Sequence, residues 1–191
     1  MQLSMPHCAG AGIVSLAALF VPAQALAAAT PVATTTATAP SECSGTASCA
    51  TFLLGMLNQH RMRHHLPVLQ LASLQSRGVS GCPGSYGHSV AMAETGGIWH
   101  TNSRFPRQSF PHNVCVRYVY SGENVGEAFT GDEAQDLQVL DHMMMQEPHS
   151  ARACTSMVNH ACNILDSHFR SVGIGLYERG GTTWLTEDFI G

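Results

Sequence analysis

Two glutamates and two histidines stand out in this sequence as groups whose type and setting could do chemistry. Leu137, Leu140, Met143 and Met144 recur on one face of a helix, and extending that face by three residues reaches Glu147. A carboxylate on the core side of a helix is costly unless it is paired, hydrogen-bonded or facing a wet cavity. The plainer alternative is a solvated residue at a frayed end, because Pro148 stops the helix there. Glu123 lies in Gly122-Glu123-Asn124, placed after a strand and in a loop, where functional groups are often presented. Its plain alternative is a turn in which Asn124 bonds its own backbone. His100, in Trp99-His100-Thr101-Asn102, and His160, in His160-Ala161-Cys162-Asn163, carry nitrogens that suit zinc. With carboxylates beside them they would make a nitrogen–oxygen site. Their spacing does not show that they meet, since 59 residues separate them.

Other chemistries find little support. His60 and His64 are four apart on one helix and could chelate a stray ion, although a solvated face explains them as well. There is no HExxH pair to set two zinc ligands and a base on one helical turn, and no GxSxG nucleophile turn. Ser89 beside His88 is adjacent in sequence, which is no evidence for a dyad. Glycine-rich phosphate loops are missing.

The elements that must position these groups follow from periodicity. Leu53, Leu54, Leu57 and Arg61 recur at helical spacing from Cys49 to His65, and Pro67 closes that helix. A looser helix runs from His88 to Glu94 and ends at Gly96-Gly97, with GVSGCPGSYG before it as a loop. Val114 to Tyr120 alternates like a strand. Thr130-x-x-Glu133 has the form of a capping box for the helix that leads to Glu147. Val172–Glu178 and Thr182–Ile190 flank Arg179-Gly180-Gly181 and predict a hairpin. Helices packed on both faces of a small sheet are the expectation.

Composition narrows the function classes. A formal charge of −4 offers no basic stripe for phosphate backbones, which excludes nucleic acid as a partner. All nine basic residues are arginine, and eleven histidines outnumber them; protonating every histidine would swing the charge to +7. The apolar run from Ile13 to Leu26 is too short to span a membrane, and Ala25-Leu26-Ala27 has the small-x-small form of a signal-peptidase site. No Lys or Arg precedes that run. Residues 1–27 are therefore expected to be a cleaved signal peptide, and 28–42, rich in Ala, Thr and Pro, a disordered linker. Residues 43–191 are expected to form the single domain, secreted to an extracellular or periplasmic space and without a transmembrane segment.

Six cysteines remain in that domain, none in a CxxC pair, so three disulfides fit better than a thiolate zinc site. Fifteen connectivities are open. Pairing near neighbours gives Cys43–Cys49 and Cys154–Cys162, leaving Cys82–Cys115.

The scattered signals fall in an order that resembles the CAP superfamily of cysteine-rich secretory, antigen 5 and pathogenesis-related proteins (SCP-like extracellular domains, bacterial type). Asn58-x-x-Arg61 resembles the first-helix motif of that family, and His88-Ser89-x-x-Met92-Ala93 a second segment. Trp99-His100-Thr101-Asn102, Gly122-Glu123-Asn124-Val125 and Met144-Met145-Gln146-Glu147 follow in family order. His160-x-x-Asn163-Ile164-Leu165, Phe169, Val172-Gly173-Ile174-Gly175, and Trp184-Leu185-Thr186 with Phe189 complete the resemblance, which runs from about Phe52 to Gly191. Three departures stand out: methionines replace a usual tryptophan in the third helix, extra glycines mark Ser73 to Tyr86, and twelve residues separate Glu147 from His160. In that long connection His149 competes with His160 for the family's second histidine position.

The resemblance implies an α+β fold, a three-layer α-β-α sandwich with a small, mainly antiparallel central sheet. It also implies a central cavity lined by His100, Glu123, Glu147 and His160, with His100 and His160 able to hold zinc or another divalent cation. Asn58, Arg61, His88, Asn124 and Asn163 are then structural motif residues. The first functional expectation is an extracellular binding module for a metal ion and for a lipid, sterol, peptide or protein ligand. A zinc-dependent hydrolase with Glu123 or Glu147 as general base is the second. Two histidines are fewer than the three protein ligands usual in catalytic zinc, which weighs against it. A structural or wall-associated protein is the third.

Overall fold

The computed structural model describes Cys43, residues 45–156 and residues 159–191. The expected leader and linker, 1–27 and 28–42, lie outside the described residues.

The chain folds as α1 (Thr46–Arg63), β1 (Gln70–Leu71), α2 (Ser73–Arg77), α3 (Gly84–Thr95), β2 (Ser121–Ala128), α4 (Glu133–Met145), α5 (Ala151–Ser156), α6 (His160–Ile164), β3 (Ser171–Arg179) and β4 (Thr182–Ile190). One four-stranded sheet has the order β1-β3-β4-β2. β1 runs parallel to β3, while β3–β4 and β4–β2 are antiparallel, so the sheet is mixed and mainly antiparallel as expected. The hairpin turns at Gly180 and Gly181, both at positive φ (64° and 77°), which glycine adopts without a Cβ penalty.

Alternation along β4 sorts the layers. Leu185 and Phe189 point into an apolar core with Leu53 and Leu57 of α1 and Leu137, Leu140 and Met144 of α4. Trp184 points the other way, onto Met92 and Ala93 of α3. Helices α1, α4 and α6 therefore cover one face and α2 and α3 the other, giving the expected α-β-α layering. Each of Leu53, Leu57, Leu137 and Leu185 is wholly buried, which stabilises the fold by roughly 1.5–3 kcal/mol per side chain.

Two close approaches set α3 and α2 on the sheet. A Cβ at Gly175 would lie 2.1 Å from the Ser85 carbonyl carbon, and one at Gly173 would lie 2.2 Å from the Gln75 side chain. Ser89 Oγ donates to the Gly175 carbonyl at 3.0 Å, and Ile174 N–H donates to Ser76 Oγ at 2.9 Å. The first helix is pinned differently. Arg61 is fully buried and donates to the carbonyls of Pro67, Ile164, Asp166 and Phe169, joining α1 to the α6–β3 connection. Asn58 exchanges two hydrogen bonds with the backbone of Leu69 and fixes the entry to β1.

Several local expectations are overturned. Val114–Tyr120 is not a strand; the strand begins at Ser121. Cys115 gives its N–H to Gln75 Oε1 and its sulfur to Cys82, and Tyr118, Val119 and Tyr120 are exposed, so the alternation has no buried face to read against. Thr130 does not cap α4. Asp132 does, accepting from Gln135 N–H, while Thr130 bonds Asp132 and gives its own N–H to Asp136. Gly84 to Gly87, expected in a loop, open α3, and Ser73–Arg77 is a short helix. Met143 is 61% exposed and leaves the apolar stripe to Leu137, Leu140 and Met144. The disulfides are Cys43–Cys49, Cys82–Cys115 and Cys154–Cys162, the pairing expected from near neighbours.

Candidate functional site

Glu123 lies inside β2, not in a loop. That strand is one edge of the sheet, and its alternation sends Glu123 towards α3 and Asn124 towards α4 and α6. Glu123 is 5% exposed, and both of its carboxylate oxygens are engaged. Oε1 accepts from His100 Nδ1 at 2.8 Å; Oε2 accepts from His88 Nδ1 at 2.7 Å and Asn113 Nδ2 at 3.0 Å. Burial alone would push its pKa up, but the hydrogen bonds from His100 and then His88 outweigh it and hold the carboxyl below the usual range.

His88, read from sequence only as a motif residue, turns out to be a direct partner of Glu123. Its Nε2 faces the Trp99 carbonyl at 2.8 Å while Nδ1 faces the carboxylate. The buried ring is thus held at both nitrogens, between the carboxylate and a main-chain carbonyl. A buried carboxylate is tolerated when it is paired and hydrogen-bonded, and for Glu123 those partners are His88, His100 and Asn113.

Behind Glu123 stands Asp188 on β4, fully buried and directly opposite it in register. Asp188 accepts from Ser85 Oγ at 2.6 Å, Gln75 Nε2 at 2.7 Å and Asn113 Nδ2 at 3.1 Å. Burial, and then the Glu123 charge, push its pKa well up, while that of Glu123 is held down, so the two neighbouring carboxyls are driven in opposite directions. Neither Asn113 nor Asp188 was singled out from sequence. The adjacent acids Glu187-Asp188 inside a strand were the available signal, because two neighbours in a strand point to opposite faces and both faces here are covered.

The second pair lies on the α4 and α6 side. Glu147, two residues past α4, accepts from His160 N–H (Oε2) and from His160 Nδ1 (Oε1), each at 2.7 Å. Asn159 caps α6 by accepting from Cys162 N–H, which sets His160 at the first helical position. His149 does not take this place; its Nδ1 is bound to the Glu147 carbonyl at 2.7 Å.

The structure thus sorts the four predicted residues into two pairs, His100–Glu123 and Glu147–His160. They are tied through the backbone: Asn124 Nδ2 donates to the His160 carbonyl at 3.3 Å, and Asn163 Nδ2 donates to the Glu123 carbonyl at 3.1 Å. A Cβ at Gly122 would lie 2.9 Å from Asn163 Oδ1, so glycine is needed for α6 to sit this close to β2. Asn124 also donates to Glu187 Oε2 at 2.9 Å and accepts from Asn163, instead of bonding its own backbone.

The donor set can be tested for fit to a metal. A carboxylate oxygen only accepts, so Nδ1 of His100 and of His160 carries the proton and each Nε2 keeps a lone pair. Metal-ligating histidines commonly have this arrangement. The His100 side chain is 53% exposed and that of His160 31%, so both remain reachable. Among the described residues, one group of three His, Cys, Asp or Glu residues brings its ligand atoms within 4.8 Å of one another: Cys43, Cys49 and Glu133. Its sulfurs are joined in a disulfide and are no thiolate ligands. The His60 and His64 pair does not act as one face: His60 Nε2 bonds Asp141 Oδ2 at 2.9 Å, while His64 meets His149 edge-on.

No protein-family model matches this sequence, and no curated protein matches it. Solved structures similar in fold include the two that follow. An outer surface protein from Borrelia burgdorferi aligns over 77% of this chain and 95% of its own, with a TM-score of 0.52 and 11% identity. Venom allergen-like protein 4 of Schistosoma mansoni aligns over 72% of this chain and 84% of its own, with a TM-score of 0.50 and 10% identity. These likenesses show the fold: the chain has a CAP-like fold.

Proposed function

We propose that this CAP-fold chain is an extracellular binding module that holds a divalent cation, zinc by preference, on Nε2 of His100 and Nε2 of His160. One observation carries the reading. Each of the two imidazoles has its Nδ1 held by its own carboxylate, Glu123 or Glu147, which leaves the other nitrogen as a ligand. A bound ion would add a Lewis-acid contact for a donor atom of a lipid, sterol, peptide or protein ligand. The chain's own residues orient the rings: His88 and Asn113 hold Glu123, and the His160 backbone N–H holds Glu147.

The same geometry disfavours Glu123 as the base of a hydrolase, because it is almost wholly buried and both of its oxygens are taken by three donors. A general base needs a free lone pair within reach of water, and of the two acids only Glu147, 31% exposed and bonded once at each oxygen, meets that condition. Three disulfides fit an oxidising compartment, and no helix among the described residues is long and apolar enough to cross a membrane. Calorimetric titration with zinc tests the proposal. One equivalent bound by the wild type and lost in both His100→Ala and His160→Ala supports it; equal uptake by both variants rejects it.

A further inference from the structure

We infer a second metal site, distinct from the His100 and His160 pair, in a pocket of about 420 Å³ lined by His64, His149, His168, Asp166 and the Cys154–Cys162 disulfide. The ligand class is a borderline divalent transition ion, with Cu2+ preferred over Zn2+, because imidazole nitrogens suit both and copper binds the more tightly at such sites.

Three elements place these rings around one pocket. His64 follows α1, His168 lies in the turn before β3, and His149 lies in the long connection between Glu147 and His160. The Cys154–Cys162 disulfide ties that connection to α6 and holds it over the pocket. His149 gives its Nδ1 proton to the Glu147 carbonyl at 2.7 Å, which fixes the tautomer and leaves Nε2 with a lone pair. His168 Nδ1 is bound to Asp166 Oδ1 at 2.8 Å and leaves its Nε2 in the same state. That is a carboxylate–histidine arrangement of the kind that orients a metal ligand. His64 meets His149 edge-on, with ring centroids 5.6 Å apart, and neither of its nitrogens has a hydrogen-bond partner among the described residues. The ligand atoms of these residues do not all lie within 4.8 Å of one another, so binding draws the exposed His64 ring inward and takes His168 off the Tyr120 ring, whose centroid is 4.4 Å away.

The pocket does not depend on the His100 and His160 site proposed above, and the test separates the two. Cu2+ is titrated into the full, disulfide-intact chain without reductant, followed by electron paramagnetic resonance and by histidine ring signals in NMR. Sub-stoichiometric Cu2+ should broaden the ring signals of His64, His149 and His168. The double variant His64→Gln with His149→Gln should lose one equivalent while keeping any ion bound by His100 and His160. The His100→Ala with His160→Ala variant should keep the equivalent in this pocket. His168→Gln should weaken it by at least about tenfold. Unbroadened ring signals in the wild type, or unchanged copper uptake by the folded double variant, overturns the inference whether or not the first site binds metal.

Discussion

Asn124 on β2 donates to the main-chain carbonyl of His160 on α6, and this bond connects the elements that carry the two histidine–glutamate pairs. The same side chain donates to Glu187 and accepts from Asn163, so one amide serves the strand, the helix and a buried acid. Asn124→Ala should lower stability by about 2–4 kcal/mol, because it strands buried partners as well as removing bonds. Urea unfolding measures this. A loss within about 0.5 kcal/mol would mean the amide does not hold the two elements together.

Glu187 makes stability depend on pH. Burial, opposed in part by Asn124 and helped by the Asp141 charge, raises its pKa to about 8 from 4.5. The folded state therefore binds a proton that the unfolded chain releases above pH 4.5. This contribution is fully present below that pH and is lost as pH rises through about 8, at a limiting slope of roughly 1.4 kcal/mol per unit. The raised pKa of Asp188 acts in the same direction. Glu187→Gln keeps a partner for Asn124 and should flatten the slope between about pH 5 and 8. Unfolding curves across that range would show it, and an unaltered slope would exclude Glu187 as the cause.

Glu123→Gln should weaken zinc binding by about 10–100-fold while leaving both imidazole ligands in place. An amide cannot accept from His88 and His100 with the strength of a carboxylate, so the orientation of His100 is lost. Undiminished affinity in a competition titration would show that the carboxylate has no part in positioning the ring.

Arg61→Lys is not conservative here. The guanidinium reaches four carbonyls from a fully buried position, and its pKa is lowered chiefly by that burial. An ammonium cannot span the same fork, and a loss of about 3–5 kcal/mol is expected in denaturant melts. A melt within about 1 kcal/mol of wild type would remove the clamp from the account.

Gly175→Ala should cost at least about 2 kcal/mol, because a methyl group there meets the Ser85 backbone and forces α3 off β3. A shift of His88 away from Glu123 should accompany it, visible as a changed His88 ring signal.

What the sequence made legible was local. The β3–β4 hairpin announced itself by alternation around two glycines, and the disulfides by the short gaps between cysteines. The pairs His100–Glu123 and Glu147–His160 could be anticipated only by resemblance, because 22 and 12 residues intervene and periodicity has no reach over loops. Asn113 and Asp188 stayed hidden for a related reason: each matters through partners on other elements. Val114–Tyr120 misled because alternation is diagnostic only when one face is buried, and three of its seven residues are exposed aromatic or aliphatic groups.

The outer margin of β3 has its own consequence. After the two residues paired with β1, the Ile174 N–H is met by Ser76 Oγ of α2. A serine hydroxyl thus stands where a neighbouring chain would otherwise dock. A rim blunted in this way offers a poor template for strand addition along this side of the sheet.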